Sequence, residues 1–362
     1  EKVPMTPVRL ALRTDLEKKH HELTELGKPP VTRKPGKYFR ILAIDGGGVR
    51  GIIPALVIKY IEERTGKKVP DLFNLVAGTS TGALLGVVLS IPGKDSKKPG
   101  YTSNDTMGLY ITECPRIFKT SLMQRIKNMG GLADAKYPAA IKRKVVKKYA
   151  GSLRISDCLT DILIPSFDMR EGVPYFFKST MAREHPKYDY RIADILDATS
   201  AAPTYFRPCK VQGQDALPEL GYRCFIDGAV TANCPALAAA LEAIKVYGVQ
   251  PDDIVVVSIG CGDADIGRTY QEASNMGALG WATYIPSALI SGSIYSVEQQ
   301  ADQMLNDTSY WRFQTRVPYK HSSIDDASPQ NLLWLKRAGK ELVRCEKERL
   351  DQLCDILTEG LN

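Results

Sequence analysis

The serine at position 80 has the sequence environment of an exposed nucleophile. It lies in the stretch Gly78-Thr-Ser-Thr-Gly82, between an apolar run that ends at Ala77 and another that begins at Ala83. This order predicts a strand, a very tight turn and a helix, and the glycines allow the strained turn that lifts a hydroxyl clear of a sheet. The helix directs its positive end at the reacting centre. The pattern therefore predicts a hydrolase with Ser80 as its nucleophile.

A serine nucleophile needs a base, and the chain offers two kinds. The order of nucleophile, acid and histidine in α/β-hydrolases would leave only His321 of the four histidines, and its polar loop is more typical of an exposed side chain. Asp227 instead follows an apolar strand, at the kind of strand end where open α/β sheets place their sites. With a raised pKa it can accept the Ser80 proton directly. Taken alone, Asp-Gly is more typical of a simple turn, so the pairing with Ser80 carries this interpretation.

The glycine run Gly46-Gly47-Gly48 offers backbone N–H groups at the start of a predicted helix, beside the guanidinium of Arg50. Such groups stabilise a developing oxyanion or a phosphate. Gly46, Gly48 and Gly51 also match a dinucleotide-binding turn, which keeps a nicotinamide-dependent oxidoreductase as an alternative. Asp71 lies 20 residues beyond Gly51, but it precedes an apolar strand, whereas a ribose-binding carboxylate should end one. We therefore favour an oxyanion loop.

Alternating strands and helices position these residues. A buried apolar strand over 39–44 precedes the glycine run, and a helix with apolar residues at helical spacing follows it. Because the Ser80 unit repeats this order, we expect an α/β fold with three α/β/α layers and a mainly parallel sheet. Further strands are predicted at 162–168, 173–178, 223–227 and 254–259, a helix at 235–247, and one long helix from Ser328 to about Leu357.

We divide the chain into an N-terminal arm (1–37), a catalytic domain (38–320) and a C-terminal helical extension (321–362). The arm is polar and basic and is interrupted by five prolines, with a short helix predicted from Leu10 to Leu26. Its role stays open.

The composition narrows the classes of function. The chain has 362 residues, a net charge of +7 and 44% hydrophobic residues, and none of its apolar runs reaches the ~18 residues of a membrane-spanning helix. The first residues lack a signal-peptide pattern, although a processed signal stays open because Glu1 need not be the native start. The eight cysteines are scattered without a C-x-x-C pair, which favours free thiols in the cytoplasm and makes zinc improbable. We expect no cofactor, no metal and no nucleic-acid polymer as partner.

Two segments suggest contact with lipid. Lys142, Arg143, Lys144, Lys147 and Lys148 cluster on a predicted helix that can rest on anionic head groups, although a solvated helix face is the more common use. Residues 281–297 carry an apolar and aromatic stripe that suits an acyl groove or a lid, with Gly277, Gly280 and Gly292 as candidate hinges. Core packing is the more common use of such a stripe as well.

Three motifs in order resemble the signatures of patatin-like phospholipases: Asp45-Gly-Gly-Gly-Val-Arg-Gly51, Gly78-Thr-Ser-Thr-Gly82 and Asp227-Gly-Ala229. Ser200-Ala-Ala-Pro-Thr-Tyr-Phe206 resembles the family's segment between serine and aspartate. The resemblance covers roughly residues 39–262. It implies an acyl hydrolase that works without a catalytic histidine or a metal, with Ser80 as nucleophile and Asp227 as base. It also implies an oxyanion hole built from the amides of Gly46, Gly47 and Gly48, with Arg50 beside it.

From these residues we expect a phospholipase A-type enzyme that cleaves acyl esters of membrane lipids through an acyl-enzyme. A catalytically silent lipid-binding protein is a further alternative. We expect a cytoplasmic protein in peripheral contact with the inner face of the membrane. Some bacterial relatives in antiviral defence are activated by cyclic dinucleotides, so a small-molecule activator stays open. Lipid preference and oligomeric state stay open as well.

Overall fold

The computed structural model describes residues 36–93, 98–119, 134–213, 221–306 and 309–361. The strands are β1 (Phe39–Ile44), β2 (Leu75–Gly78), β3 (Asp161–Asp168), β4 (Val173–Lys178), β5 (Cys209–Gln212), β6 (Tyr222–Asp227), β7 (Ile254–Ile259), β8 (Asp263–Ala264), β9 (Tyr310–Phe313) and β10 (Arg316–Val317). The helices are α1 (Ile52–Thr65), α2 (Val69–Leu72), α3 (Thr81–Ser90), α4 (Ser103–Gly108), α5 (Cys114–Ile117), α6 (Ala139–Ala150), α7 (Ser179–Glu184), α8 (Ile192–Thr199), α9 (Ala229–Ala232), α10 (Ala236–Tyr247), α11 (Tyr270–Ser274), α12 (Ala278–Met304), α13 (Pro329–Cys345) and α14 (Lys347–Thr358). The helix predicted within the N-terminal arm lies outside the described residues.

The main sheet runs in the order β5-β6-β3-β2-β1-β7-β9, and β4 pairs with β3 off this path. The strands from β3 to β9 in this order run parallel, whereas β6 is antiparallel to β3 and β5, and β4 is antiparallel to β3. The central strand β1 is buried along its whole length. Alternate residues of β1 enter two separate cores because successive side chains of a strand point to opposite faces.

Helices cover both faces of this sheet. Side chains of α1, α3, α8, α13 and α14 join the core on one face, and those of α10 and the C-terminal half of α12 join the core on the other. The predicted three-layer α/β/α fold with a mainly parallel sheet is therefore confirmed. Residues 329–358 pack into the first core through Leu332, Leu335, Leu342, Leu350, Leu353 and Leu357.

The C-terminal segment differs from the single helix that we predicted. It forms two helices, α13 and α14, because Glu346 leaves helical geometry with φ −95° and ψ 12°. Both helices then lie against α1. The short edge strands β5 and β9 were not predicted either, since four-residue segments carry little periodicity.

No helix within the described ranges combines the length and the apolar character that crossing a bilayer requires.

Candidate active site

Ser80 lies at the apex of the tight turn between β2 and α3. Its backbone has φ 53° and ψ −117°, a conformation that non-glycine residues rarely adopt. The neighbouring glycines are required by close approach: a Cβ at Gly82 would lie 2.3 Å from the carbonyl oxygen of Ile44, and one at Gly78 would lie 2.5 Å from that of Gly82. The strained turn predicted from the glycine spacing is present.

The side chains of Ser80 and Asp227 meet, although they are 147 residues apart. The hydroxyl of Ser80 donates to Oδ2 of Asp227 over 2.8 Å, and Oδ1 accepts the backbone N–H of Ala229 over 2.9 Å. Burial raises the pKa of Asp227 to about 6, while the hydrogen bonds from Ala229 and Ser80 and the charge of Lys142 act in the opposite direction. A carboxylate with this pKa can accept a proton near neutral pH.

The strand that ends at Asp227, β6, is antiparallel to its neighbours in the sheet. β6 runs antiparallel to β3 and pairs Asp227 with Ser166, whereas β2 pairs only with the first residues of β3, Asp161 to Leu163. The long strand β3 therefore extends beyond β2 and holds the end of β6 near the carboxyl edge of the parallel strands. The predicted position at a strand end is correct, but the strand's direction was not foreseen.

The glycine loop after β1 lies beside Ser80. The N–H of Gly46 donates to the carbonyl oxygen of Asn233 over 3.1 Å, which leaves it engaged rather than free. Within the described residues, the N–H groups of Gly47 and Gly48 have no hydrogen-bond acceptor. Of the three amides predicted for the oxyanion hole, the geometry thus favours those of Gly47 and Gly48.

The side chain of Arg50 fixes the backbone of this loop. Its guanidinium donates to the carbonyl oxygens of Gly47 and Gly262 over 3.5 and 3.2 Å. Because a trans peptide directs its C=O and N–H to opposite sides, a fixed Gly47 carbonyl fixes the direction of the Gly48 N–H. Desolvation lowers the pKa of Arg50, although the guanidinium ordinarily stays charged in proteins. Gly48 has φ 58°, and a Cβ there would lie 2.1 Å from the carbonyl oxygen of Ile324.

The loop is also fixed through Asp45, which is buried. Arg312 binds both carboxylate oxygens of Asp45 over 3.1 and 2.7 Å, and its Nε donates to Glu298 of α12 over 2.7 Å. Desolvation opposes the charge of Arg312, but the attraction of Asp45 and its other anionic neighbours outweighs it and raises the pKa well above the usual range. Sequence reasoning missed Arg312, because it lies on a short edge strand with no motif around it.

Ser80, Asp227 and the glycine loop line a cavity of about 720 Å³, a volume within the range of ligand-binding sites. Among the described residues, the charged side chains in its lining are Arg50, Lys142 and Asp227. The rest of the lining is mostly apolar and includes Leu84, Ile117, Phe118, Val145, Val146, Phe206, Val230, Ile285, Leu289 and Ile290.

Helix α12 forms the outer wall of the cavity and contains the segment 281–297. Seven of its residues from Ala282 to Ile290 line the cavity, and Leu279 and Leu289 are 74% and 68% exposed. The C-terminal half is anchored by the buried Ala301 and by the contact of Glu298 with Arg312. The helix runs through two of the three candidate hinges, Gly280 and Gly292, and only Gly277 lies at its end.

Two other predicted features lie elsewhere. His321 is absent from the cavity lining; its Nδ1 pairs with Asn331 over 2.8 Å and its ring stacks on Trp334. Asp71 accepts the N–H of Lys68 at the start of α2.

The basic cluster on α6 is not a uniformly solvated face. Lys142 is buried and pairs with Asp197 over 3.0 Å, Arg143 binds the same carboxylate, and Lys148 pairs with Glu113. α6 packs on α8, which carries Asp197, and Lys142 also lines the cavity. No group of three or more metal-ligating side chains is present in the described part of the chain.

Comparison with known proteins agrees with this geometry. A family model described as "Patatin-like phospholipase" matches residues 42–240, more than half of the chain. The chain is 33% identical over 348 residues to "Patatin-like protein 1" of Oryza sativa subsp. indica, covering 88% of this chain and 84% of the relative. It is 29% identical to "Patatin-like protein 2" of Arabidopsis thaliana, covering 88% and 87%. It is 28% identical to "Patatin-T5" of Solanum tuberosum, covering 85% and 84%.

Proposed function

Because this chain belongs to the patatin-like phospholipase family and is thus a lipid acyl hydrolase, we propose that it cleaves membrane phospholipids with a dyad of Ser80 and Asp227. The observation that carries the proposal is the 2.8 Å hydrogen bond from the Ser80 hydroxyl to the buried Asp227 carboxylate. The pair lines a mostly apolar cavity, beside the N–H groups of Gly47 and Gly48, which have no acceptor among the residues that the structure describes.

The reaction begins when Oγ of Ser80 attacks the ester carbonyl carbon and its proton passes to Asp227. The carbonyl oxygen becomes an oxyanion, which the N–H groups of Gly47 and Gly48 stabilise. The intermediate collapses as the bond to the alcohol oxygen breaks. Asp227 then gives its proton to this leaving oxygen, so the lysolipid departs and the acyl group stays on Ser80.

Water completes the cycle. Asp227 takes a proton from a water molecule whose oxygen attacks the acyl carbon, and the same N–H groups bind the second oxyanion. The bond between the acyl carbon and Oγ of Ser80 then breaks, the proton returns to Oγ, and the fatty acid leaves. A raised pKa suits Asp227 both to accepting and to donating a proton. A carboxylate with a very low pKa is a poor base, and a group with a very high pKa is a poor acid.

The acyl chain occupies the apolar cavity in this proposal, and the lipid enters past α12. Residues 273–297 contain no charged side chain, and Leu279, Trp281, Ile285 and Leu289 are exposed there. An uncharged helix with exposed aromatic and aliphatic side chains at the entrance of a lipid cavity suits contact with a bilayer surface. We therefore assign the peripheral membrane contact to the N-terminal half of α12 rather than to the basic residues of α6, three of which already pair with carboxylates.

The decisive experiment combines covalent labelling with turnover. A fluorophosphonate should add to Ser80 of the wild type, and Ser80→Ala and Asp227→Asn should each lose at least about 10³-fold in kcat on a soluble acyl ester. Ser287→Ala is the matched control, since this serine lines the same cavity and should leave both readouts unchanged.

Other outcomes would point to other functions. Absence of labelling with an intact fold would favour a silent lipid-binding protein. Binding of NAD in calorimetry would favour the oxidoreductase alternative. Activation by a small molecule, a role in antiviral defence and a cytoplasmic location stay predictions; turnover of phospholipid vesicles with and without added cyclic dinucleotides tests the first of them.

A further inference from the structure

Thr199, the last residue of α8, is completely buried and contacts three separate segments. Its hydroxyl accepts the backbone N–H of Ser80 over 3.1 Å and donates to the carbonyl oxygen of Pro165 over 2.7 Å. Its own carbonyl oxygen accepts the N–H of Gly228 over 3.3 Å. One residue thus joins the nucleophile turn, the extended strand β3 and the turn after Asp227.

The hydrogen bond from the Ser80 N–H to Thr199 holds a residue whose backbone is strained. Ser80 has a positive φ, so its conformation persists only because the surroundings determine it. Its N–H lies within reach of the Thr199 hydroxyl, whose single proton is already directed at Pro165. The hydroxyl therefore donates one hydrogen bond and accepts another, which fixes its orientation.

The contacts on the Asp227 side are equally close. A Cβ at Gly228 would lie 2.3 Å from the carbonyl oxygen of Pro165, the same oxygen that Thr199 binds. Two residues further along the chain, the carbonyl oxygen of Ala201 accepts the N–H of Asp227 over 3.0 Å. Residues 199–201 therefore hold the backbone on both sides of the dyad.

We propose that Thr199 is a positioning residue that sets the separation between the Ser80 hydroxyl and the Asp227 carboxylate. Thr199 is absent from the cavity lining, so it acts through these two residues and does not touch substrate. The inference rests on the proposed function, because it concerns the alignment of the proposed dyad. Misplacement of reacting groups by about 1 Å can lower rates by about 10²-fold, which sets the size of the expected effect.

The test compares Thr199→Val with Thr199→Ser on a soluble chromogenic ester. Valine keeps the shape and removes the hydroxyl, so kcat should fall by about 10- to 100-fold with KM within about twofold of wild type. Serine keeps the hydroxyl and should restore kcat to within about threefold. Equal loss in both variants, or wild-type kcat in Thr199→Val, would overturn the proposal.

The pH profile separates alignment from simple destabilisation. Burial raises the pKa of Asp227, and the hydrogen bond from Ser80 opposes this effect. A weakened bond in Thr199→Val should therefore move the acid limb of kcat/KM to higher pH. The charged groups that share the cavity with Asp227, Lys142 on α6 and Arg50 on the glycine loop, are unchanged in this variant. An unshifted limb would contradict the inference.

Thr160→Val is the matched control. Its hydroxyl is also buried and shares its one proton between the backbone carbonyl oxygens of Phe73 and Asn74. Like Thr199 it does not line the cavity, but it makes no hydrogen bond to Ser80 or Asp227. It should lower the melting temperature without changing kcat or the pH profile. If Thr199→Val does not fold, Thr199→Ala provides the same comparison, and wild-type kcat with a wild-type acid limb there would sink the proposal.

Ser80→Ala separates this inference from the proposed function. If Ser80→Ala keeps its activity, the dyad itself is wrong. If Ser80→Ala is inactive and Thr199→Val is normal, the dyad stands and only the role of Thr199 fails.

Discussion

The catalytic end of the cavity (Ser80, Asp227 and Gly46–Gly48) and its outer wall (residues 278–292 of α12) differ in how firmly the rest of the protein holds them. At the catalytic end, backbone and side-chain hydrogen bonds come from β3, α8, Asn233 and Arg50. The outer wall has no buried residue in this range, and its anchors lie further along the helix at Glu298 and Ala301. The difference shows that the part that does the chemistry is preorganised, while the part that meets lipid is left exposed.

Glycines reveal the same contrast. At the catalytic end, a Cβ on Gly46, Gly47 or Gly48 would lie 2.1 to 2.5 Å from a neighbouring atom. Gly292 in the outer wall, and Gly277 directly before α12, have open space around the corresponding position. The glycines of the loop are therefore required by packing and backbone conformation, whereas those of α12 are not.

The largest expected effect compares one substitution in the two regions. Gly48→Ala places a Cβ at a residue with φ 58°, against the carbonyl oxygen of Ile324, so the loop must shift and the Gly48 N–H turns away from the oxyanion. We expect kcat on a soluble ester to fall by about 10²-fold or more, as on loss of an oxyanion-hole donor.

Gly292→Ala is the control for this change. It replaces glycine inside an exposed helix, where alanine should stabilise by about 0.5–1 kcal/mol and leave kcat unchanged. The kcat of both variants is measured by steady-state kinetics, and their stability by urea unfolding. Similar kinetic effects of the two substitutions would remove the distinction between the regions.

The next effect concerns the charge state of Asp227. Because burial raises its pKa to about 6, and because the base must be ionised, kcat/KM should fall about tenfold per pH unit below pH 6 and level off above it. The pH dependence of the folding stability has the opposite sign to that of kcat/KM. The pKa in the unfolded chain is about 3.9, so the favourable contribution of this group is complete below that pH and is lost as pH rises through 6.

Two measurements check these signs. The pH–rate profile of the wild type should show one acid limb near pH 6. Asp227→Asn should gain stability relative to wild type as pH rises from 4 to 7, in urea unfolding. A limb near pH 4 would mean that Asp227 is more solvated than the structure indicates.

The parts of the site that could be predicted from the sequence are those whose conformation depends on neighbouring residues in the chain. The turn at Ser80 depends on glycines next to it, the loop at Gly46–Gly48 likewise, and Asp227 follows a visibly apolar strand. The α/β fold follows from the alternation of strand and helix patterns, which each segment carries by itself.

The parts that could not be predicted depend on contacts between distant segments. Arg312 and Thr199 act on residues more than a hundred positions away. No motif surrounds Arg312, and the segment Ser200–Phe206 that follows Thr199 does not indicate that the Thr199 hydroxyl contacts Ser80. The burial of Lys142 results from Asp197, which only packing brings near it. Engagement of the Gly46 amide by Asn233 is likewise a product of the fold.

The smallest effect on the chemistry itself should come from the outer face of α12. Leu279 and Trp281 are 74% and 43% exposed and do not line the cavity, unlike Leu289 and Ile290. Leu279→Ser with Trp281→Ser should lower turnover of phospholipid vesicles several-fold, because membrane affinity scales with the apolar area buried in the interface. Turnover of a short soluble ester should stay within about twofold, since no catalytic contact changes. Leu333→Ser, at a similarly exposed leucine on α13, is the control and should change neither activity. Equal losses on vesicles and soluble ester would mean that the outer face of α12 supports the catalytic end after all, and the contrast between the two regions would not hold.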